Sequence, residues 1–486
     1  MNPTKRSSIC RPGLSRCHFL VLGFALALLS DPVHAAELRV GAAQVQITPP
    51  PGVPLAGYYH ERGSDGVHDD LFSRAIVLER DGVKAALVSL DLISTRRRFV
   101  EQARALIEQQ TGIPGKHVMI SATHAHTGPI LPDTSARDAG VGEGGAVAKS
   151  YLEALPELIA QSVRLAHEKL QPAAASSFIG HEPSLTFNRR FHMKDGSVGW
   201  NPGKLNPDII HPAGPVDPAV PVVFFETPRQ KPIATYVNYA VHLDNVGGRQ
   251  ISADFPHTLT EALARVLGRD HVTLWTAGTC GDLNHINVNW ARPQKGQENA
   301  ARMGFVLAGE VLRNWPNLQP AGDGPLRIRS TKVSLPLAPI DEAEVAAARL
   351  TVRTVRDSDP GGFMKLVQAF KVLDVYARQG RPIEVEVQAI TLGDDLAWVS
   401  LPGEVFVQLG LDLKLDSPFK QTMIAELANG SIGYIPNRRA YPQGNYEVIS
   451  ARCAEGSGEM LVAAAVKLLK EIRVANRTPA GKPDVN

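Results

Sequence analysis

The sequence predicts a mixed α/β protein, a largely parallel sheet system flanked by helices, with a metal site where strands end. Three observations lead there. Apolar runs of strand length alternate with segments of helical periodicity. One strand, helix, strand succession over 85–90, 95–110 and 118–120 reads as a crossover, which implies parallel strands covered on both faces. Finally, several strands run into glycine followed by polar or metal-capable groups, the way one end of an α/β sheet assembles a site.

Residues 1–36 stand apart from the fold. Lys5, Arg6, Arg11 and Arg16 form a basic leader, the apolar run 19–29 is shorter than the roughly 20 residues a bilayer span needs, and Val33-His34-Ala35-Ala36 offers small residues for cleavage. This is the pattern of a secretory signal, so 37–486 is expected to be exported, either periplasmic or secreted. Its length exceeds the usual single domain, which predicts one large or two fused α/β units with a candidate boundary near 316–325.

The whole chain carries 51 basic and 49 acidic side chains. Losing the four basic leader residues and Asp31 leaves 47 against 48. Nucleic acid is therefore excluded as a partner, because its binders carry a basic excess. Cys280 and Cys453 are the cysteines left after the leader, either one disulfide in an oxidising compartment or two small buried side chains.

Taken in order, strand 40–47 stops at Thr48-Pro49-Pro50-Pro51-Gly52, and Gly57-Tyr58-Tyr59-His60 precedes Gly66-Val67-His68-Asp69-Asp70, read as a solvated acidic turn or an arm reaching the site. Strands 75–78 and 85–90 form a hairpin at Asp81-Gly82. Helix 95–110 carries Val100, Ala103, Leu106 and Ile107 at helical spacing. A glycine-rich loop, 140–145, precedes helix 147–170, and 185–190 delivers Arg189 and Arg190 at a strand end. Proline-rich 202–221 reads as an irregular excursion. Strands then resume at 222–225 and 234–241, the latter running into His242, with Ser252-Ala253-Asp254-Phe255 ahead of helix 257–267. Strand 272–276 runs into Ala277-Gly278-Thr279-Cys280-Gly281-Asp282-Leu283-Asn284-His285, and helix 297–315 follows. Beyond 316–325 come helices 342–355 and 363–378, a hairpin 385–392 with 396–401, Leu401-Pro402-Gly403-Glu404 opening helix 405–413, strand 423–427 leading to Gly433-Tyr434, and an amphipathic helix 459–474. These returning strands are expected to complete the same sheet system.

The centre of the pattern is Thr123-His124-Ala125-His126-Thr127-Gly128-Pro129, after the buried-strand run Val118-Met119-Ile120. Residues two apart on a strand point the same way, so His124 and His126 are expected on one face at its carboxyl end. Such a pair reads as two ligands, a ligand with its neighbour, or two ordinary polar residues. His242, Glu404 and Tyr434 also sit at strand ends or helix starts. Imidazole and carboxylate are zinc donors, and a catalytic site leaves a position for water. Alone, Glu404 reads equally as a helix-start charge and Tyr434 as a core aromatic.

Together these segments resemble the neutral ceramidase family, zinc amidases that cleave the N-acyl bond of ceramide. The resemblance rests on the His124 to Pro129 motif, Asn188-Arg189, Ala240-Val241-His242 with Ile251-Ser252-Ala253-Asp254, Gly281-Asp282, Leu401-Pro402-Gly403-Glu404, and Gly433-Tyr434 with Tyr446. It implies a Zn²⁺ held by His124, His242, Glu404 and Tyr434, with His126, Arg189 and Tyr446 lining the place of the scissile carbonyl. It also implies attack by zinc-activated water, oxyanion stabilisation by Arg189 and Tyr446, and proton transfer to the leaving amine by His126, whose other reading is a residue orienting a ligand. The implied substrate is a small amphiphilic molecule, met in transient contact with a membrane surface.

Three departures bear on this. Where family ceramidases have a serine after Gly-Asp, Leu283-Asn284-His285 stands here, so a serine nucleophile has no residue to use. The chain is expected to lack the family's carboxyl-terminal β-sandwich. The loops His242-Leu243-Asp244-Asn245 and Tyr441-Pro442-Gln443 differ from those of ceramidases, which leaves open a zinc hydrolase of another amide or ester, such as a glycan-linked acyl group, and a non-catalytic lipid or glycan binder. A pocket lined by apolar side chains favours lipid; one lined by Trp, Asp and Arg favours sugar. Asp282 reads as the partner of a zinc-bound histidine or as a turn cap, and His285 as structural.

Overall fold

The computed structural model describes residues 37–57, 62–132 and 145–477. The leader 1–36, the Tyr58-Tyr59-His60 segment and most of the glycine-rich 140–145 loop lie outside the described residues.

Three large mixed sheets carry the chain. The first runs, in spatial order, Val118–Ala122, Val83–Leu90, Phe72–Arg80, Arg39–Gln46, Gln171–Pro172. The second runs Val272–Ala277, Pro232–Tyr239, Ala219–Glu226, Ala174–His181, Gln319–Ala321, and the third Leu326–Leu335, Ile383–Leu392, Leu396–Ser400, Gln421–Ala425. The balance of strand direction differs from the expectation of largely parallel sheets. Each large sheet has a single parallel ladder at one edge, Val83–Leu90 with Val118–Ala122, Pro232–Tyr239 with Val272–Ala277, and Leu396–Ser400 with Gln421–Ala425. The other ladders of these sheets are antiparallel; three of them are hairpins joined directly by short turns such as Asp81-Gly82, while each parallel step passes through a crossover helix.

Alternating side chains explain why the strands are apolar on both faces. Ala75 and Val77 face the helices Arg97–Thr111 and Gly145–Glu168, in one cluster with Val100, Ile107, Leu155 and Ile159. Ile76 and Leu78 face the opposite way, into a core shared with Phe225 and Tyr236 of the second sheet and Leu392 and Trp398 of the third. The second sheet is backed by Phe255–Leu267 and Gln297–Arg313, the third by Val407–Asp416 and Ser457–Arg477. Thus the returning strands beyond 316–325 build a sheet of their own, joined to the others through a common core.

Polar bonds lock the three parallel ladders side by side. Ser89 donates to the Trp275 carbonyl (2.6 Å), Asn238 to the Ile424 carbonyl (2.9 Å), the Glu426 N–H to the Ala277 carbonyl (3.0 Å) and the Asn429 N–H to the Ile120 carbonyl (2.8 Å). Their carboxyl ends consequently gather in one place. Cys280 and Cys453 are separate buried thiols, not a disulfide. No helix among the described residues is long and apolar enough to cross a membrane.

Candidate metal centre and its cavity

His124 lies two residues beyond its strand, and its backbone adopts φ 74°. The strand-alternation reading of His124 and His126 is therefore replaced by a turn: a left-handed residue, rare without glycine, swings the chain back so that both rings converge. The loop after Val83–Leu90 holds this turn, with the Leu92 carbonyl accepting from His124 N–H (2.9 Å) and the Ile93 carbonyl 2.7 Å from His124 Nδ1. That bond places the proton on Nδ1 and leaves Nε2 as a bare donor. His126 is buttressed by Gly57, where a Cβ would lie 2.7 Å from His126 Nδ1, so only glycine fits.

His242 follows Pro232–Tyr239, and its loop hangs on Asp254. One Asp254 oxygen accepts from the N–H groups of Asn245 (2.9 Å) and Val246 (3.1 Å), the other from Asn245 Nδ2 (3.0 Å) and the Phe255 N–H (2.7 Å). Burial raises Asp254 to about 6 in spite of these donors. Glu404 sits on the short strand Glu404–Val405, paired in parallel with Tyr434–Ile435 and in register with Tyr434 itself. Gly281 packs on it so tightly that a Cβ would fall 2.4 Å from the Glu404 carbonyl oxygen. Beneath, buried Glu426 accepts from the N–H groups of Cys280 (3.1 Å) and Val405 (3.0 Å), with the Cys280 thiol 2.9 Å away; burial pushes it up to about 8, so it is a neutral clamp.

The three imidazoles meet at their Nε2 atoms: His124 to His242 3.0 Å, His126 to His242 3.2 Å, His126 to His124 3.3 Å. An ion with metal–nitrogen bonds of about 2.0–2.1 Å in tetrahedral geometry sets its donors about 3.3 Å apart. The three histidines can therefore bind a metal. Glu404 Oε2 lies 3.4 Å from His124 Nε2 and, buried, has no hydrogen-bond donor among the described residues, an oxygen suited to a cation. Burial alone would raise Glu404, but His124, Tyr434 and Arg189 outweigh it and hold the carboxyl at about 2. Burial lowers His126 to about 3 and, with the neighbouring cations, His242 well below its ordinary value. On His124 burial acts downward too, yet Glu404 raises it overall.

The other expected site residues surround this cluster. Tyr434 interacts through its hydroxyl with Glu404 and Arg189, and the Arg189 guanidinium lies 5.3 Å from its ring centre. Tyr446 packs on Tyr434 (5.3 Å between rings). Arg189 is fixed as well: Nε donates to Glu447 (2.8 Å) and Nη2 to the Gly281 carbonyl (2.7 Å), while Arg190 donates to the other Glu447 oxygen (2.8 Å). Sequence reasoning missed Glu447; the signal was a pair of adjacent arginines entering a core, which requires a buried acid.

His126, His242, Arg189, Tyr434 and Tyr446 open onto a cavity of about 460 Å³. Its wall includes Asp244, from the loop after His242 whose sequence departs from the ceramidases, and also Trp200, Phe363, Lys295 and His285, which had not been assigned to the site. The supposed irregular excursion 202–221 contributes the strand Ile209–Pro212, which pairs with Arg190–Met193; Val198–Trp200, just ahead of it, pairs with the other edge of that strand and brings Trp200. His285, read as structural, is buried in the cavity wall. Asp282 makes the turn-cap alternative concrete, accepting from the Val407 N–H at the start of Val407–Asp416 (2.8 Å) and from Asn188 (2.9 Å). Asp69 is not solvated: it is buried, accepting from Ser252 Oγ (2.6 Å) and the Ala253 N–H (2.7 Å), and so braces the loop ahead of Asp254.

Against solved structures, one match is the crystal structure of neutral ceramidase from Pseudomonas aeruginosa, with 20% identity, a TM-score of 0.70, and coverage of 92% of this chain and 77% of that one. The chain has the neutral ceramidase fold. A second match, a ceramidase complexed with C2, shows 18% identity and a TM-score of 0.68 over the same shares of both chains. No family model matches the sequence, and no curated protein does.

Proposed function

We propose that this protein is an exported zinc-dependent amidohydrolase that cleaves the N-acyl bond of ceramide or a related N-acyl compound. The carrying observation is the convergence of three Nε2 atoms at 3.0–3.3 Å, with His126 and His242 lining a cavity, inside a neutral ceramidase fold. His124, His126, His242 and Glu404 hold the metal in this reading, with Tyr434 at its edge. Zinc bound there supplies Lewis acidity and brings the pKa of water toward about 7.

The chain's own residues do the rest. Arg189, immobilised by Glu447, and Tyr446 stand where charge develops on the carbonyl oxygen, so they stabilise it without reorganising. His126 and His242 also line the cavity, so a metal held by them faces the space the amide would occupy. The apolar surfaces of Phe191, Ile286 and Val288 displace water from the remaining wall.

The test is hydrolysis of a fluorescent short-chain ceramide by purified protein, with metal content measured in parallel and chelated protein as control. Fatty acid release lost on chelation and restored by zinc supports the reading. A protein that takes up no metal overturns it, and a zinc-loaded protein inert toward all N-acyl compounds removes the amidase assignment.

A further inference from the structure

Beside the apolar surfaces of Phe191, Ile286 and Val288, the cavity has two further, unlike walls. One is aromatic: Trp200 lies 4.4 Å from Tyr446 and 5.8 Å from Phe363 between ring centres, and Tyr446 connects back to Tyr434 beside the histidines. The other is ionic and amide-bearing. Lys295 Nζ donates to Asp244 Oδ2 (2.7 Å), and the other Asp244 oxygen lies 3.8 Å from His126 Nδ1. Lys204 Nζ donates to the carbonyls of Ala291 (3.0 Å) and Arg292 (2.9 Å), and Asn284 donates to Asn201 (2.8 Å).

Two long alkyl chains fit this space poorly. A volume of about 460 Å³ suits a compact ligand. Hydrocarbon laid along Asp244, Lys295 and Lys204 would strip water from charges and return no hydrogen bond. A cyclic polyol meets both walls: its C–H face lies on aromatic rings, and each hydroxyl both donates and accepts, as a carboxylate, ammonium groups and amides require. Asp244, Trp200 and Arg189 are the residue types set out from the sequence as favouring sugar, and they stand beside the apolar Phe191, Ile286 and Val288.

We propose that the substrate is an N-acylated amino sugar, its acyl carbonyl at the histidines and its ring between the Trp200 wall and the Asp244–Lys295 pair. This rests on the amidohydrolase reading and narrows it. In the reaction, water adds across the amide C–N bond: its hydroxyl goes to the acyl carbon, giving a carboxylic acid, and its proton goes to the sugar nitrogen, giving the amine.

The experiment compares N-hexanoyl-glucosamine with a short-chain ceramide on zinc-loaded protein, wild type and Lys295→Met, with calorimetric binding of the sugar amide measured alongside. The expected result is preference for the sugar amide, with Lys295→Met raising its KM about tenfold more than the ceramide's, the scale of one lost hydrogen bond to a charged group. Ceramide preference, or an equal KM change for both substrates, overturns the proposal. If neither is hydrolysed, calorimetry separates the two readings. Binding of the sugar that weakens in Lys295→Met keeps the polyol site and discards amidase chemistry, and absence of binding overturns the polyol site itself.

Discussion

Replacing Glu447 tests how the cavity is held together. Its carboxylate is fully buried and serves Arg189 and Arg190 at 2.8 Å each, bonds that span 258 and 257 residues of chain. Arg189 keeps a bond to the Gly281 carbonyl, and Arg190 keeps bonds to Gln443 and Gly444, so neither is stripped bare by the change. Glu447→Gln retains one acceptor oxygen but turns the other into an N–H donor against a guanidinium. Breaking one buried ion pair costs about 3–5 kcal/mol, and here two cations lose one anion, so the full range applies. Unfolding entropy of about 2.1 cal/mol/K per residue over roughly 425 described residues gives about 0.9 kcal/mol per degree. Tm measured by differential scanning fluorimetry should therefore fall about 3–6 °C, and activity should fall with it at unchanged metal content, because Arg189 loses its anchoring carboxylate. A Tm within 1 °C of wild type would refute the argument that this carboxylate neutralises both arginines.

Other outcomes follow from the same geometry. His124→Ala and Glu404→Ala should each abolish metal binding and activity, read by metal analysis of the purified variants; full zinc occupancy in either removes that residue from the ligand set. Tyr446→Phe should lower turnover about 10²- to 10³-fold with zinc retained, the scale of one oxyanion donor, and wild-type turnover takes Tyr446 out of catalysis. Acid should release the metal through a single site. His126 at about 3 and Glu404 at about 2 bind no proton between pH 5 and 7, burial pushes His242 well below its ordinary value, and His124, raised by Glu404, is the first of the four to take a proton as pH falls. Apparent zinc affinity should therefore fall about tenfold per pH unit in that window, and a fall of a hundredfold or more per unit contradicts it.

The alternation of apolar strands and periodic helices was legible in the chain, and so was the crossover that precedes His124. Strand direction was harder to read. An apolar run such as Ala219–Glu226 looks the same whether its neighbours are parallel or antiparallel, because both of its faces are buried either way. Ala174–His181 was missed because alanines, serines and a glycine carry little strand preference, and it is held by its ladder with Ala219–Glu226.

Metal-capable groups at strand ends are a local signal, so His124, His242 and Glu404 were legible as candidate ligands, and His126, expected beside the scissile carbonyl, converges with them in place of Tyr434. The left-handed turn at His124 that brings the rings together has no local mark, since it depends on the Leu92 and Ile93 carbonyls of a different loop. The cavity wall was less legible still. Trp200, Phe363, Asp244 and Lys295 come from four separate segments, and no periodicity relates them.

By itself the sequence determined where the strongly apolar strands and periodic helices run and which chemistry their ends can carry, because periodicity and chain termination are properties of neighbouring residues. Only the tertiary structure decided that three parallel ladders from three sheets end together, that one buried carboxylate holds two arginines, and that the cavity is aromatic on one side and ionic on the other. Those facts depend on side chains hundreds of residues apart sharing one dry interior, where each charge and each polar group must find its partner through the packing of the whole chain.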